Sequence, residues 1–401
     1  MAITKNKLRS GTCMLRVTMV LLMTLLSACT SAGQEDKLQE NGAEGRPPVN
    51  AQPDEAPGVS PDFPYTAETV ARGLEVPWEM AFALDGRIFF TERSGSLRVI
   101  ENGKLREAPL LKLSDSLVSE GEGGLLGLAL DADFEQNGQA YVYHTYRTEQ
   151  GETANRVLQI QIGREAAEIS GVLLDHIPGD TNHNGGRIKL GPDGNLYITT
   201  GDRYEPELAQ DKNSLGGKIL RITPGGSIPE DNPWPGSPVY SMGHRNAQGL
   251  AWQPESGALY SSEHGQSSHD ELDLIKAGAN YGWPLIEGDE TGVGQQKLVT
   301  PLVHSGKETW APSGMTFITQ GPWAGELLVA NLAGQQLLRV SLPPAGGTPS
   351  ITSLFKEKYG RIRNVAEGPD GTLYLMTNNR DGRGDPQAQD DRLIALRPDW
   401  K

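Results

Sequence analysis

The chain has 401 residues, with 49 Gly, 27 Pro, 22% charged residues and a formal net charge of −15. Such acidity argues against nucleic acid as a partner, because its phosphates would be repelled. It is compatible with a neutral substrate such as a sugar and with a bound divalent cation. The Gly and Pro content suits many short strands joined by tight turns. A single closed β-propeller can use this length, so length does not demand two domains.

Residues 1–29 read as an export signal. Lys5, Lys7, Arg9 and Arg16 surround the start of an apolar run, Val17 to Leu26. That run is short against the ~20 apolar residues of a spanning helix. It leads into Leu26-Ser27-Ala28-Cys29, which resembles the bacterial lipobox. The resemblance implies cleavage before Cys29 and acylation of its thiol; an ordinary signal peptide with a chance cysteine is the alternative. Thr30, not Asp, follows the cysteine. By Gram-negative sorting rules this implies an exported lipoprotein of the cell envelope, at the outer membrane or its periplasmic face. Membrane contact would then run only through the lipid on Cys29. The two cysteines, Cys13 and Cys29, both lie in the leader, so the mature body carries no disulfide. Residues 30–62 are polar and rich in Gly and Pro, which predicts a flexible tether. Residues 63–401 are expected to form the folded body.

From Val76 one pattern recurs six times: a strand of small and apolar residues, a tight turn, then a β-branched or aromatic strand. The copies centre on Met80–Thr91, Leu126–Tyr143, Ile188–Thr199, Gly249–Ser261, Met315–Ala330 and Val365–Met376. In three of them the turn holds Asp-Gly: Asp85-Gly86, Asp193-Gly194 and Asp370-Gly371. Asp-Gly between apolar strands signals a hairpin because both residues tolerate positive φ. Each hairpin is trailed by a further strand, such as Ser96–Ile100, Gly217–Ile222 or Arg392–Leu396. Six such units predict an all-β, six-bladed β-propeller of four-stranded antiparallel blades. A sandwich or a pair of barrels is the alternative. A strand near Thr66–Ala71 is expected to pair into the last blade and close the ring. The stretches 202–244 and 276–310 are expected as loops on the functional face.

Polar and glycine-rich segments sit beside the strand ends: Gly121–Gly127, His183–Arg187, Gly201–Arg203, Gly243–Gly249, Glu263–Gly265 and Arg361–Arg363. In a propeller such segments converge on the central channel. There His, Arg and Asp would supply a proton acceptor, an anion clamp and an orienting carboxylate.

The region from Val76 to Leu396 resembles the soluble quinoprotein glucose/sorbosone (aldose sugar) dehydrogenases. Pro77-Trp78, Gly123-Gly124-Leu125-Leu126-Gly127, Gly243-His244-Arg245-Asn246, Gln248-Gly249-Leu250 and Glu263-His264-Gly265 carry the likeness. So do Asp270-Glu271-Leu272, Asn280-Tyr281-Gly282-Trp283-Pro284, Ala311-Pro312-Ser313-Gly314 and Arg361-Ile362-Arg363. The resemblance implies pyrroloquinoline quinone (PQQ) and Ca²⁺ as cofactors, and oxidation of an aldose to its lactone with electrons passed to an unidentified acceptor. His183 matches the base that takes the proton of the anomeric hydroxyl while hydride passes to the quinone. Asp202 matches the carboxylate that holds that base, and Arg245 the cation on the quinone carbonyl. Glu122, Asn246, Thr309, Arg361 and Arg363 match cofactor contacts, as do His183 and Arg245 themselves. Because Arg361 and Arg363 alternate on a strand, both reach the cofactor only through a bulge or strand end. The main chain of Gly265 and Gln266 matches the catalytic calcium site, and Glu271 with Tyr281 a second one. The pattern departs at Glu122, where the family often has Gln, at Gln266, where it often has Pro, and at Ala333, where the glucose enzyme has Lys. A carboxylate at Glu122 would repel a tricarboxylate cofactor unless protonated or salt-bridged. A calcium-dependent lactonase and a non-catalytic cell-surface binding propeller are the competing readings.

Overall fold

The computed structural model describes residues 63–291, 297–343 and 347–400. The export signal, Cys29 and the tether lie outside the described residues. Within them the chain forms six antiparallel sheets, the blades of a six-bladed propeller. Each blade starts on an inner strand: Pro77–Phe82, Leu125–Leu130, Ile188–Leu190, Ala247–Trp252, Pro312–Phe317 and Ile362–Glu367 in blades 1 to 6. Inner strands of neighbouring blades touch one another around the axis, save that in blade 3 it is the second strand, Leu196–Thr199, that meets the inner strand of blade 4. Among the described residues no helix is long and apolar enough to cross a membrane.

The hairpin signals act as expected. In the turns after the inner strands of blades 1, 3 and 6, Gly86, Gly194 and Gly371 take φ of 88°, 76° and 76°, a region that costs glycine little. Behind these turns the second and third strands are buried on both faces, as in Ile88–Glu92 and Lys218–Ile222. This is why they read as near-continuous apolar runs. The packing lies between blades. One cluster joins Trp78, Leu126, Tyr141, Tyr143, Ile188, Ile198 and Leu220 from blades 1, 2 and 3.

Ring closure follows the expectation. Tyr65–Ala71 pairs antiparallel with Leu393–Pro398, so the last blade takes its fourth strand from the start of the body. Phe63, Tyr65, Trp323 and Trp400 form an aromatic cluster at this seam. One detail is added to the expected blades and one expectation is corrected. Blade 1 has no single fourth strand: Lys104–Leu105 and Leu111–Lys112 share the edge of Ser96–Glu101. The stretches 202–244 and 276–310 are not loops throughout: besides the expected strand at Lys218–Ile222 they contain Val239–Met242 of blade 3 and Val303–His304 of blade 4. The last two of these are fourth strands of their blades, too short to stand out by periodicity.

The axis is filled by polar side chains. Glu79 of blade 1 accepts hydrogen bonds from Arg187 Nη1 at 2.5 Å and Asn364 Nδ2 at 2.6 Å, and pairs with Lys189 at 3.4 Å. Arg363 Nη1 donates to Gln248 Oε1 at 2.6 Å. Trp78 lies against the guanidinium groups of Arg187 and Arg363, 4.0 and 5.6 Å from its ring centre. Burial raises the Glu79 carboxyl, but Arg187 and Lys189 outweigh it and hold the group below its ordinary range.

Candidate active site

At one mouth of the ring, loops from several blades meet. His183 lies in the segment that enters blade 3. Its backbone is left-handed at φ 56°, as are Arg203 at 49° and Tyr204 at 63° in the loop facing it. Non-glycine residues held there cost about 1–3 kcal/mol each, and such outliers cluster at functional sites. Gly201 lets these segments approach: a Cβ there would lie 1.8 Å from the His183 carbonyl oxygen.

The imidazole is fixed on one side. His183 Nδ1 is 2.7 Å from Asp202 Oδ1. The other oxygen of Asp202 accepts from Trp283 Nε1 at 2.8 Å, and Oδ1 also accepts from the Tyr204 N–H at 3.0 Å. A carboxylate only accepts, so the proton of a neutral imidazole sits on Nδ1 and the lone pair on Nε2. The Tyr204 ring packs on the imidazole with centroids 4.0 Å apart.

Arg245 and Asn246 enter the same site at the start of blade 4. The Arg245 carbonyl accepts from the Asp202 N–H at 2.8 Å, and Gly201 bridges to Asn246. The Arg245 guanidinium sits 5.3 Å from the Trp283 ring centre and donates to the Gly265 carbonyl at 2.7 Å. Its Nε is buried with no protein partner, as is His264 Nε2. Asn246 donates to Glu122 Oε2 at 3.2 Å and accepts from the Gly185 N–H at 3.0 Å.

Glu122 resolves the charge problem posed by the sequence. Its Oε2 accepts from the His183 N–H at 3.1 Å, and its Oε1 pairs with Arg383 at 2.7 Å. Burial raises this carboxyl, but His264, Arg383 and His183 pull it down to about 2. Burial also pushes His264 down to about 4. At neutral pH His264 is therefore uncharged, and Arg383 is the partner whose charge persists.

The two arginines of blade 6 separate in role. Register shifts between Ile362 and Asn364, the bulge that the alternation argument required. Arg361 is held by Asp381 through Nε and Nη2 at 2.8 and 2.7 Å. Arg363 reaches the axis and is bound by Gln248 and Asn378. Thr309 is exposed and donates to the Ser267 carbonyl at 3.1 Å.

The residues expected around calcium fall in two places. The Gly265 carbonyl faces Arg245, and the exposed Gln266 donates its N–H to Glu287 at 2.9 Å. Two carbonyls are few ligands for a cation that takes six to eight oxygens, so the remaining oxygens would come from a bound ligand or from water. The second place is carboxylate-rich. Glu271 and Asp273 share one face of a blade 4 strand, with Glu263 paired opposite Glu271. His244 Nδ1 lies 2.8 Å from Glu263 Oε2, and His244, Glu263 and Asp273 bring ligand atoms within 4.8 Å of one another. Both oxygens of buried Asp273 lack a protein partner. Burial and the neighbouring carboxylates push Glu271 up to about 8. An orphaned carboxylate among other acids is what a hard cation would satisfy. The Tyr281 hydroxyl is committed to the Leu274 carbonyl at 2.7 Å, which leaves its main-chain oxygen as the ligand it can offer.

Sequence reasoning assigned no role to Trp283, Tyr204, Asp273, Asp270 or Arg383. Asp270 accepts from the N–H groups of Gly265, Trp310 and Ala311 and so pins two mouth loops together. Trp283 and Asp270 lie in quoted motifs, and an assignment of partners would have needed the fold.

A closed propeller whose mouth gathers a carboxylate-held histidine, an arginine and an asparagine suits an oxidoreductase acting on sugar CH–OH groups. The chain belongs to the Glucose / Sorbosone dehydrogenase family, whose sequence model matches residues 74–388. It is 31% identical over 340 residues to aldose sugar dehydrogenase YliI of Escherichia coli, covering 79% of this chain and 90% of that one. It is 30% identical over 308 residues to quinoprotein glucose dehydrogenase B of Acinetobacter calcoaceticus, covering 67% and 64%. The PQQ-bound aldose sugar dehydrogenase of Streptomyces coelicolor superposes with a TM-score of 0.75 at 37% identity, covering 84% of this chain and 99% of that one.

Proposed function

We propose that the protein is a PQQ- and Ca²⁺-dependent dehydrogenase that oxidises the anomeric carbon of aldoses to lactones. The observation that carries this reading is the His183–Asp202–Trp283 chain of hydrogen bonds beside Arg245. Bound PQQ would supply the two-electron acceptor for hydride from C1. The chain's own residues do the rest. His183, its Nδ1–H donated to Asp202, offers Nε2 to the proton of the C1 hydroxyl. Asp202 stabilises the resulting imidazolium and keeps the ring from turning, a role that does not require it to become protonated. The Arg245 guanidinium is placed to stabilise negative charge developing opposite that base. Asn246, Arg361, Arg363, Glu122 and Thr309 would hold the cofactor. Calcium would be held at the Gly265 and Gln266 carbonyls and, separately, at Glu271, Asp273 and the Tyr281 main chain.

The fit to an anionic cofactor rests on the unpartnered Nε of Arg245 and on the half-exposed guanidinium of Arg383. A lactonase would need its carboxylates and Asn on a metal at the axis. There Glu79 is already occupied by Arg187 and Asn364. The sequence of the leader supports export and anchoring through acylated Cys29, with electrons leaving to a separate acceptor. The test is reconstitution: purified protein with PQQ and CaCl₂ should reduce an artificial dye when given aldoses. No turnover over a broad sugar panel, with PQQ demonstrably bound, would favour a binding propeller instead. Mass spectrometry of the mature N-terminus tests the lipid, and an unmodified Cys29 would refute it.

A further inference from the structure

One loop of blade 6, residues 378–392, reaches across the mouth and touches three parts of the site at once. Asp381 holds Arg361. Arg383 Nη1 pairs with Glu122 Oε1, and its Nη2 donates to Asn182 Oδ1, each at 2.7 Å. Asn182 directly precedes His183. The base of the loop is pinned: Asn379 accepts from the Arg361 N–H at 2.8 Å and donates to Asp390 at 3.0 Å. The Arg383 side chain is nonetheless 49% exposed, while Glu122 beneath it is 12% exposed. The guanidinium thus satisfies Glu122 with one edge and presents the remainder to the mouth.

We propose that Arg383 is a cofactor-binding residue that grips a carboxylate of PQQ and cancels the charge of Glu122 beneath it. This rests on the reading of the mouth as a PQQ site. A guanidinium has five N–H donors in a planar fork, so one group can serve two carboxylates. Without Arg383, Glu122 would lose its ion pair and its outer oxygen would face the place where anionic carboxylates must dock. Glu122 itself is retained for its inner oxygen, which holds the His183 N–H and the Asn246 amide. The pair therefore does together what a neutral amide at 122 and a separate cation would do. It also accounts for an anion site that has Ala333 where the glucose enzyme has lysine.

The experiment is PQQ titration into the purified apo-protein, followed by absorbance and calorimetry with no sugar present. Four proteins are compared: wild type, Arg383→Ala, Glu122→Gln and the double variant, each first checked for unchanged thermal unfolding. Arg383→Ala should raise the PQQ Kd at least 30-fold, because it removes a cation and uncovers an anion. Glu122→Gln alone should weaken binding less than Arg383→Ala does, since it removes an anion and leaves the cation. The double variant should recover at least tenfold of the loss, since no bare carboxylate remains. Arg383→Lys, which keeps the charge but not the fork, should fall between wild type and Arg383→Ala. If Arg383→Ala binds PQQ as wild type does, the proposal is wrong while the PQQ reading stands. A double variant as weak as Arg383→Ala would overturn the charge-cancelling role. If wild type itself fails to take up PQQ, the functional reading falls, and this proposal with it.

Discussion

Glu79 and Arg187, 108 residues apart in sequence, meet on the propeller axis at 2.5 Å with both side chains almost wholly buried. They come from blades 1 and 3 and so bind across the ring what the inter-blade apolar contacts bind around it. Removing one member of a buried pair leaves an uncompensated charge, at a cost of about 3–5 kcal/mol. Glu79→Ala should lower stability by about that amount in urea melts, since Arg187 and Lys189 lose their buried counter-charge and Asn364 its acceptor. A loss under 1 kcal/mol would mean the axis reorganises freely.

His183→Ala should reduce turnover by ~10²–10⁴-fold, the range supplied by a positioned base, while PQQ affinity stays within a few-fold. Asp202→Asn keeps the shape but can present an amide N–H to the ring and favour the wrong tautomer. It should lower kcat strongly with little change in KM. Steady-state kinetics on reconstituted enzyme check both, and a near-wild-type rate for His183→Ala would mean another group takes the proton.

The orphaned Asp273 gives a test that needs no cofactor. Calcium added to apo-protein should raise Tm by mass action on the folded state. Asp273→Asn and Glu271→Gln should each blunt the rise. If neither variant alters the response, the cation binds elsewhere.

Acid sensitivity has a specific contributor in blade 2. Burial and the nearby Arg156 push His144 down to about 4 from the ordinary 6.5, and its Nε2 accepts from Arg156 Nε at 2.8 Å. The folded state thus binds fewer protons at this site than the unfolded state between about pH 6.5 and 4. Stability is fully present above 6.5 and declines as pH falls through that window. Unfolding midpoints across pH 4–7 should fall less steeply in His144→Gln than in wild type. Equal slopes would show that other groups govern the decline.

Much of the fold was legible because each blade repeats a local signal: small-residue strand, glycine turn, apolar strand. The ring closure was legible too, since Tyr65–Ala71 has the strand pattern and the last blade lacked a partner. The short outer strands Val239–Met242 and Val303–His304 were not, because two to four residues are too few to display a period. At the site, His183, Asp202, Arg245 and Asn246 could be picked out by the segments that hold them, and the structure joins them through hydrogen bonds. The partners of Glu122 could not be found this way. Arg383 lies 261 residues away, in a loop whose path only tertiary structure sets. The orphaned state of Asp273 is likewise invisible in Glu271-Leu272-Asp273-Leu274, which reads as an ordinary alternating strand.

The lattice of side chains around Glu79 has a kinetic corollary. With the shaft stoppered from within, visitors have one doorway. If the proposed reaction holds, sugar and electron acceptor would take turns at it, and initial-velocity plots should show parallel lines. Excess of either substrate should slow the other's half of the cycle.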